Sequence, residues 1–393
     1  MAYMKKRGKN SWQIKLHVGR DPITGKKVYK SHTVRGNKRE AQHELHRLEH
    51  ELATGAYVEP TKITVAEYLE RWLAEYAEPN LGGKTVSRYR QIIRNNLTPA
   101  LGSIPLNKLQ PLAIQGYYNS ALESGRKDGK GGLSARTVNH CHRLLHTALK
   151  QAVAWRMLFR NPADMVKPPR PKDKPIYPPS EEERLLLMQA AQGTRLHMPV
   201  TLANATGMRR GEILAGQWCG LDWGAGAISV TRALTETDDG VEFKEPKSRR
   251  GRRTISLPKY ALDALEAHHM AQQKLKALLG DAYQDEGLIC CREDGSVWPP
   301  AAFTSAYRDL LRRRNMKNIP FHHLRHAHAS HLLKAGVSAK VVSERLGHSS
   351  VSFTLDTYAH LLPGMDEQAA QQAEKMMRAA LERQESAAPT SVN

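Results

Sequence analysis

The sequence predicts an α+β multidomain protein: a small N-terminal β-sheet backed by a helix, an all-α bundle, and a mainly α domain with a small β-sheet. Three observations support this fold class. Apolar residues alternate in the stretch SWQIKLHVG, helix-capping pairs recur along the chain, and six prolines interrupt residues 166–179. A chain of 393 residues is long enough for two or three domains.

Residues 1–57 are predicted to form the small sheet and its helix. Trp12, Ile14, Leu16 and Val18 alternate as in a strand with one buried face, and KVYKSHTV predicts a further strand. Asn37 and Glu40 then form a capping box at the start of a helix. Basic residues crowd onto this sheet: Lys5, Lys6, Arg7, Lys9, Lys15, Lys26, Lys27 and Lys30. They fit either a solvated charged face or a β-sheet DNA reader, and we favour the reader because a β-ribbon fits the major groove.

Residues 61–165 are predicted to be all helical. Thr64 with Glu67 begins one helix and Ser134 begins a long one. Residues 87–96 carry three arginines, with Ile92, Ile93 and Leu97 as the apolar core face. Residues 166–179 form a stiff proline-rich linker. A capping box of Ser180 and Glu183 opens a further domain, 180–365, and residues 366–393 form a C-terminal helix and tail.

Composition indicates a polyanion as partner. Lys and Arg number 59 against 39 Asp and Glu, which gives a net charge of +20. No apolar run is long enough to span a bilayer, and MAYMKKRGKN lacks the apolar region of a secretory signal. The four cysteines match no zinc pattern and are expected to be reduced thiols. We therefore expect a cytosolic protein that binds nucleic acid, with no membrane partner.

The segment TGMRRGEILAG predicts an anion-binding arginine. Thr206 and Gly207 turn the chain into a helix, which places Arg209 near the helix N-terminus, where free amides favour an anion. Glu212 lies one turn further and is expected to hold Arg209 in place. An ordinary ion pair at a helix start explains the same pattern, so this segment alone does not decide.

Three further segments of the C-terminal domain carry candidate residues. AISVTR and RRTISLP predict two strands, so that Lys247 lies near the tip of a hairpin. His322 and Arg325 share one face of a helix in FHHLRHAHASHLLKAG. His348 follows a helix that begins at Ser338 and ends at Gly347, and Tyr358 lies ten residues later. The histidines around Arg325 raise a metal site as an alternative, but no carboxylate stands at ligand spacing, so we expect no metal.

Taken together, these segments closely resemble the tyrosine recombinase (phage integrase) family. In that family an arginine follows T-G-x, a lysine lies on a β-hairpin, and H-x-L-R, L-G-H and a tyrosine follow. The matching segments are TGMRRGE with Arg209, PKSRRGRRT with Lys247, HHLRH with His322 and Arg325, LGHSS with His348, and TLDTYAHLLP with Tyr358. The residue after His322, often acidic in relatives, is His323 here.

The resemblance implies both the chemistry and the domain roles. It implies an arm-type DNA-binding domain at 1–57, a core-binding domain at 61–165 and a catalytic domain at 180–365. Tyr358 would attack double-stranded DNA, with Arg209, Arg325 and His348 on the phosphate, His322 as base and Lys247 as acid. No metal, ATP or other cofactor is then required.

The resemblance also implies a homotetramer on core and arm sites. We favour docking of the C-terminal helix on a neighbouring subunit, and docking on its own subunit is the alternative. An excisionase and a host DNA-bending protein are possible further partners. Two other functions share parts of the pattern: a type IB topoisomerase-like relaxase, and a DNA-binding regulator that has lost catalysis.

Overall fold

The structure is a computed structural model that describes residues 2–20, 24–54, 62–172, 178–237, 240–245, 251–358 and 365–387. The chain divides into two compact units, Met1–Asp173 and Lys174–Asn393. The mainly helical composition with small antiparallel sheets confirms the predicted α+β class. Among the described helices, none is both long and apolar enough to cross a membrane. The four cysteines are unpaired.

The first unit begins with the predicted three-stranded antiparallel sheet and its helix. The elements are β1 (Ala2–Gly8), β2 (Ser11–Arg20), β3 (Lys27–Arg35) and α1 (Lys38–Ala53). Ile14 and Leu16 of β2 pack against Leu48 of α1, as the alternation in the sequence requires. The capping box is confirmed: the Glu40 N–H donates to Asn37 Oδ1, and the Asn37 N–H donates to Glu40 Oε2, both at 2.9 Å.

A helical bundle with its own apolar core occupies the rest of this unit. Its helices are α2 (Val65–Trp72), α3 (Glu78–Asn80), α4 (Gly83–Ile92), α5 (Thr98–Leu101), α6 (Pro111–Ser124) and α7 (Ala135–Ala154). The caps at Thr64 and Ser134 are confirmed. The helix predicted around residues 87–96 begins earlier, at Gly83.

Two π-helical turns, Leu73–Ala77 and Ile93–Leu97, join α2 to α3 and α4 to α5. In both cases a proline follows two residues later, at Pro79 and Pro99. A proline cannot donate to the preceding turn and its ring collides with the carbonyl four residues back, so the wider π turn accommodates it without ending the helix.

The second unit surrounds one large apolar core. Its helices are α8 (Glu181–Ala191), α9 (His197–Thr206), α10 (Arg210–Ala215), α11 (Lys259–Leu279), α12 (Pro300–Arg313), α13 (Phe321–Lys334), α14 (Ala339–Leu346), α15 (Val351–Tyr358) and α16 (Met365–Ala387). The capping box of Ser180 and Glu183 is confirmed at the start of α8.

The strands of this unit are β4 (Leu221–Asp222), β5 (Ala227–Val230), β6 (Ala233–Thr237), β7 (Gly240–Lys244) and β8 (Arg253–Ser256). β5 and β8 pair antiparallel, which confirms the two strands predicted from AISVTR and RRTISLP. The prediction of a simple hairpin between them was wrong, because β6 and β7 form a separate two-stranded ribbon inserted in the connection. Lys247 follows β7 in the sequence and lies outside the described residues, so its place near a hairpin tip stays a prediction.

Candidate active site

Arg209 lies where the chain leaves α9 and enters α10. Gly207 ends α9 in the left-handed region, with φ of 67°, and a Cβ there would lie 2.6 Å from Leu346 Cδ2. Only glycine allows this turn together with such close packing. The Arg209 Nη1 donates to Glu212 Oε1 at 2.8 Å, and its backbone N–H donates to Glu212 Oε2 at 2.8 Å. The predicted contact between Arg209 and Glu212 is present.

Glu212 also binds a second arginine that the sequence analysis did not single out. Arg253 Nη2 on β8 donates to Glu212 Oε2 at 2.9 Å, and its Nε donates to the Arg345 carbonyl at 2.7 Å. Burial by itself raises the pKa of the Glu212 carboxyl, but the hydrogen bonds and charges of Arg253 and Arg209 outweigh it and lower the pKa below its ordinary value. Residues two apart in a strand point to the same face. The buried Ile255 is therefore the sequence signal that would have placed Arg253 on the inner face.

The end of α14 brings the two motif arginines together. Arg325 Nη2 donates to the Leu346 carbonyl at 2.7 Å, and Arg209 Nη2 donates to the next carbonyl, Gly347, at 3.1 Å. Carbonyls at a helix C-terminus lack intrahelical donors and carry partial negative charge, so they attract guanidinium groups. Arg325 also donates to the Gly207 carbonyl at 2.9 Å. Burial and the charge of Arg209 lower the pKa of Arg325 to about 9.

His348 follows directly after this helix end and is buried. Its Nδ1 lies 2.8 Å from Thr354 Oγ1 in α15, and its ring lies 6.5 Å from the Tyr358 ring, nearly parallel to it. Burial and the nearby charges of Arg325 and Arg209 lower the pKa of His348 to about 4, so the imidazole is neutral.

Tyr358 is the last residue of α15 and only 1% of it is exposed. Burial raises the pKa of its phenol to about 12, although the positive charge of Arg325 acts in the opposite direction. The phenol is therefore protonated at neutral pH. Its oxygen lies 2.8 Å from Nδ1 of His326.

His322 lies one turn before His326 on α13, and the two rings are 4.7 Å apart between centroids. It remains partly open to solvent. Desolvation, with the charges of Arg325 and Arg209 nearby, lowers its pKa to about 4. His326 is one of the histidines around Arg325 that the sequence suggests only as possible metal ligands. Its spacing of four residues from His322 nevertheless predicts that both rings lie on one helical face.

The structure thus brings Arg209, His322, Arg325, His348 and Tyr358 into one cluster. Among the described residues, no group of three His, Cys, Asp or Glu side chains is arranged to hold a metal ion. A buried phenol close to the Arg325 guanidinium, in a cluster that also holds Arg209 and several imidazoles, suits phosphoryl transfer to tyrosine, because guanidinium groups bind phosphate oxygens bidentately. The fold and site fit the class of enzymes that use a tyrosine as nucleophile.

Comparisons with known proteins identify the family. The model of the phage integrase family matches residues 178–364, and that of the phage integrase N-terminal SAM-like domain matches residues 64–122. A tyrosine recombinase XerC-like protein of Caldanaerobacter subterraneus subsp. tengcongensis is 27% identical over an alignment of 377 residues, and the match covers 91% of this chain and 94% of that protein. The chain belongs to the phage integrase family and is a tyrosine recombinase.

Two solved structures share the fold. The Tn1549 transposon integrase in complex with a circular intermediate DNA is 19% identical with a TM-score of 0.66, and the match covers 79% of this chain and 99% of that one. A lambda integrase tetramer bound to a Holliday junction is 19% identical with a TM-score of 0.56, covering 89% and 96%.

Proposed function

We propose that this recombinase integrates and excises a mobile DNA element, and that Tyr358 is the nucleophile that cuts and rejoins the strands. The proposal rests on one observation: the Tyr358 phenol lies in the same cluster as Arg209 and Arg325, close enough to Arg325 for that charge to act on its pKa. Attack on a phosphodiester gives a 3′-phosphotyrosyl enzyme and a free 5′-hydroxyl. Reversal of the same step reseals a strand.

Arg209 and Arg325 are the groups proposed to bind the non-bridging oxygens. Both guanidinium groups are held by backbone carbonyls or by Glu212, so they need little reorganisation when charge develops on the phosphate. Fixed donors of this kind contribute about 3 kcal/mol each to transition-state stabilisation. The energy of the phosphoester bond is conserved in the tyrosyl ester, so the reaction requires no ATP, and the two arginines supply the charge that metal ions supply elsewhere.

The other motif residues complete the proposed mechanism. His348, fixed by Thr354, would donate to a phosphate oxygen. The resemblance to the family implies that His322 acts as the base. It also implies that Lys247, which lies outside the described residues, acts as the acid for the leaving 5′-oxygen. Glu212 fixes Arg209 by accepting hydrogen bonds from its backbone N–H and its guanidinium.

The N-terminal sheet supports a DNA-binding role for residues 1–57. Its face opposite Ile14 and Leu16 aligns Tyr3 with Lys15 and Lys5 with Gln13 across the strands. Such a row of cations and hydrogen-bonding side chains suits the phosphates and base edges of a major groove. For residues 61–165 we propose core-site binding, where the exposed Arg88 and Arg94 suit contact with phosphates.

The C-terminal helix supports the proposed tetramer. On α16 the side chains of Met376, Met377 and Leu381 are 70%, 65% and 53% exposed, so in the described part of the chain their own subunit leaves them largely uncovered. Exposed apolar residues of this size favour docking onto a neighbour. The lambda integrase tetramer on a Holliday junction is consistent with such an assembly. An excisionase and a host DNA-bending protein are proposed as accessory partners, in the bacterial cytoplasm.

Covalent trapping tests the nucleophile. The substrate is a nicked duplex that carries the core sequence repeated at the ends of the element. Tyr358→Phe should abolish the covalent complex and leave DNA binding unchanged, whereas Tyr260→Phe, an exposed tyrosine of the same unit, should trap like the native protein. Trapping by Tyr358→Phe would refute the assignment.

The same substrates separate the other functions. A recombinase joins paired sites, while a topoisomerase-like relaxase only relaxes supercoiled DNA. A regulator without catalysis gives no covalent complex with the native chain. Trapping should continue in EDTA.

A further inference from the structure

The imidazole that contacts the Tyr358 phenol is that of His326. His326 Nδ1 lies 2.8 Å from Tyr358 Oη, and the two rings are 5.6 Å apart. His322, one turn earlier, contacts the ring of His326 instead and is exposed to solvent. A proton acceptor must lie within hydrogen-bond reach of the proton it removes, and His326 meets that condition in this structure.

The direction of this hydrogen bond follows from the two protonation states. The buried phenol keeps its proton, and a neutral imidazole offers one acceptor nitrogen and one donor nitrogen. The Tyr358 hydroxyl therefore donates to His326 Nδ1, and Nε2 of His326 carries the ring proton. This arrangement turns the phenol proton toward His326 and leaves the oxygen lone pairs directed away from it, available to a phosphorus atom.

We propose that His326 accepts the phenol proton when Tyr358 attacks DNA. As the Oη–P bond forms and the bond from phosphorus to the 5′-oxygen breaks, the phenol proton moves to His326 Nδ1. The leaving 5′-oxygen takes its proton from Lys247, the residue proposed above as the acid. In rejoining, His326 returns its proton to the departing tyrosine, so no proton is gained or lost overall. The inference rests on the proposed role of Tyr358 as nucleophile and replaces His322 in the role of base.

The charged and titratable groups facing His326 make its basicity depend on DNA. His322, His323 and Arg325 face it from α13, His348 from the end of α14, and Tyr358 from α15. Burial first, and then Coulomb interactions with His322, His323, Arg325 and His348, lower the pKa of His326 to about 3 in the DNA-free chain. A phosphodiester held by Arg209 and Arg325 adds negative charge to the same cluster and favours the imidazolium. Proton transfer is thereby coupled to the presence of substrate.

Single-turnover trapping with two substitutions at this position tests the proposal. His326→Ala removes both the hydrogen bond and the base. His326→Asn keeps an amide oxygen near the position of Nδ1, so it restores the hydrogen bond but cannot take a proton. We expect both variants to trap DNA about 10²-fold more slowly at neutral pH, with unchanged DNA affinity. His331→Ala, at an exposed position further along α13, serves as the matched control and should trap normally.

The pH profile separates proton acceptance from positioning. Between pH 7 and 9 the native rate should change little, because His326 is neutral throughout. Both variants should gain nearly tenfold per pH unit, since hydroxide must then remove the phenol proton. Full recovery in His326→Asn, or a native rate in His326→Ala, would overturn the proposal while leaving Tyr358 as nucleophile. If His326→Ala fails to fold, His326→Asn decides. Trapping by Tyr358→Phe would instead contradict the proposed function itself.

Discussion

Replacement of Glu212 by alanine is expected to destabilise the second unit more than any single surface change. The Glu212 side chain is 4% exposed and receives hydrogen bonds from both Arg209 and Arg253. The Arg253 side chain is only 7% exposed, whereas that of Arg209 is 43% exposed. Loss of the carboxylate therefore leaves one buried and one partly solvated cation without a counter-charge.

The two arginines contribute unequally to the expected loss. Removing one partner of a buried ion pair costs about 3–5 kcal/mol, because the remaining charge stays desolvated. Solvent screens Arg209, so its pair with Glu212 contributes at most about 1 kcal/mol. The expected loss for Glu212→Ala is thus set mainly by Arg253, and for a domain of this size each kcal/mol lowers the melting temperature by about 2–4 °C.

Differential scanning calorimetry of the full chain measures this effect. Glu212→Ala should lower one transition by about 6–20 °C and leave the transition of the first unit in place. Glu266→Ala on α11, an exposed glutamate of the same unit, is the control and should change stability by less than about 0.5 kcal/mol. A shift as small as that of Glu266→Ala would show that the buried ion pair does not carry the stability we assign to it.

The pH dependence provides a second check on the same residue. Because the folded pKa of Glu212 is lowered, its ionised form stabilises the fold above the unfolded pKa, and that contribution disappears as the pH falls through the folded pKa. The native chain should have a larger free energy of unfolding than Glu212→Gln at pH 7, and this difference should shrink below about pH 4. A difference that grows in acid would contradict the sign of the shift.

Two further predictions concern Lys247, which lies outside the described residues, and the C-terminal helix α16. Lys247→Ala should slow cleavage of normal DNA, and a 5′-bridging sulfur should restore the rate because a thiolate leaves without a proton; absence of rescue would argue against the acid role. Removal of residues 365–393 should impair tetramer assembly and strand exchange more than binding of a single duplex, as gel-shift and recombination assays would show. Equal loss of all three would mean that α16 only stabilises its own subunit.

The sequence alone determined the features that depend on near neighbours in the chain. The pairs Asn37–Glu40, Thr64–Glu67 and Ser180–Glu183 are capping boxes whose hydrogen bonds span three residues, so residue types and spacing suffice to predict them. The contact between Arg209 and Glu212 has the same local origin. The family motifs also fixed which arginines, histidines and tyrosine to examine, since each motif is a short segment.

Only the tertiary structure decided which of these side chains meet across the chain. Arg253 of β8 reaches Glu212 of α10 over 41 residues, and His326 of α13 reaches Tyr358 of α15 over 32 residues. Helical spacing places His322 and His326 on one face alike, but it does not say which ring a later helix will contact. The inserted ribbon of β6 and β7 escaped prediction for the same reason. Strand pairing depends on partners distant in sequence, and local pattern specifies only that a strand forms.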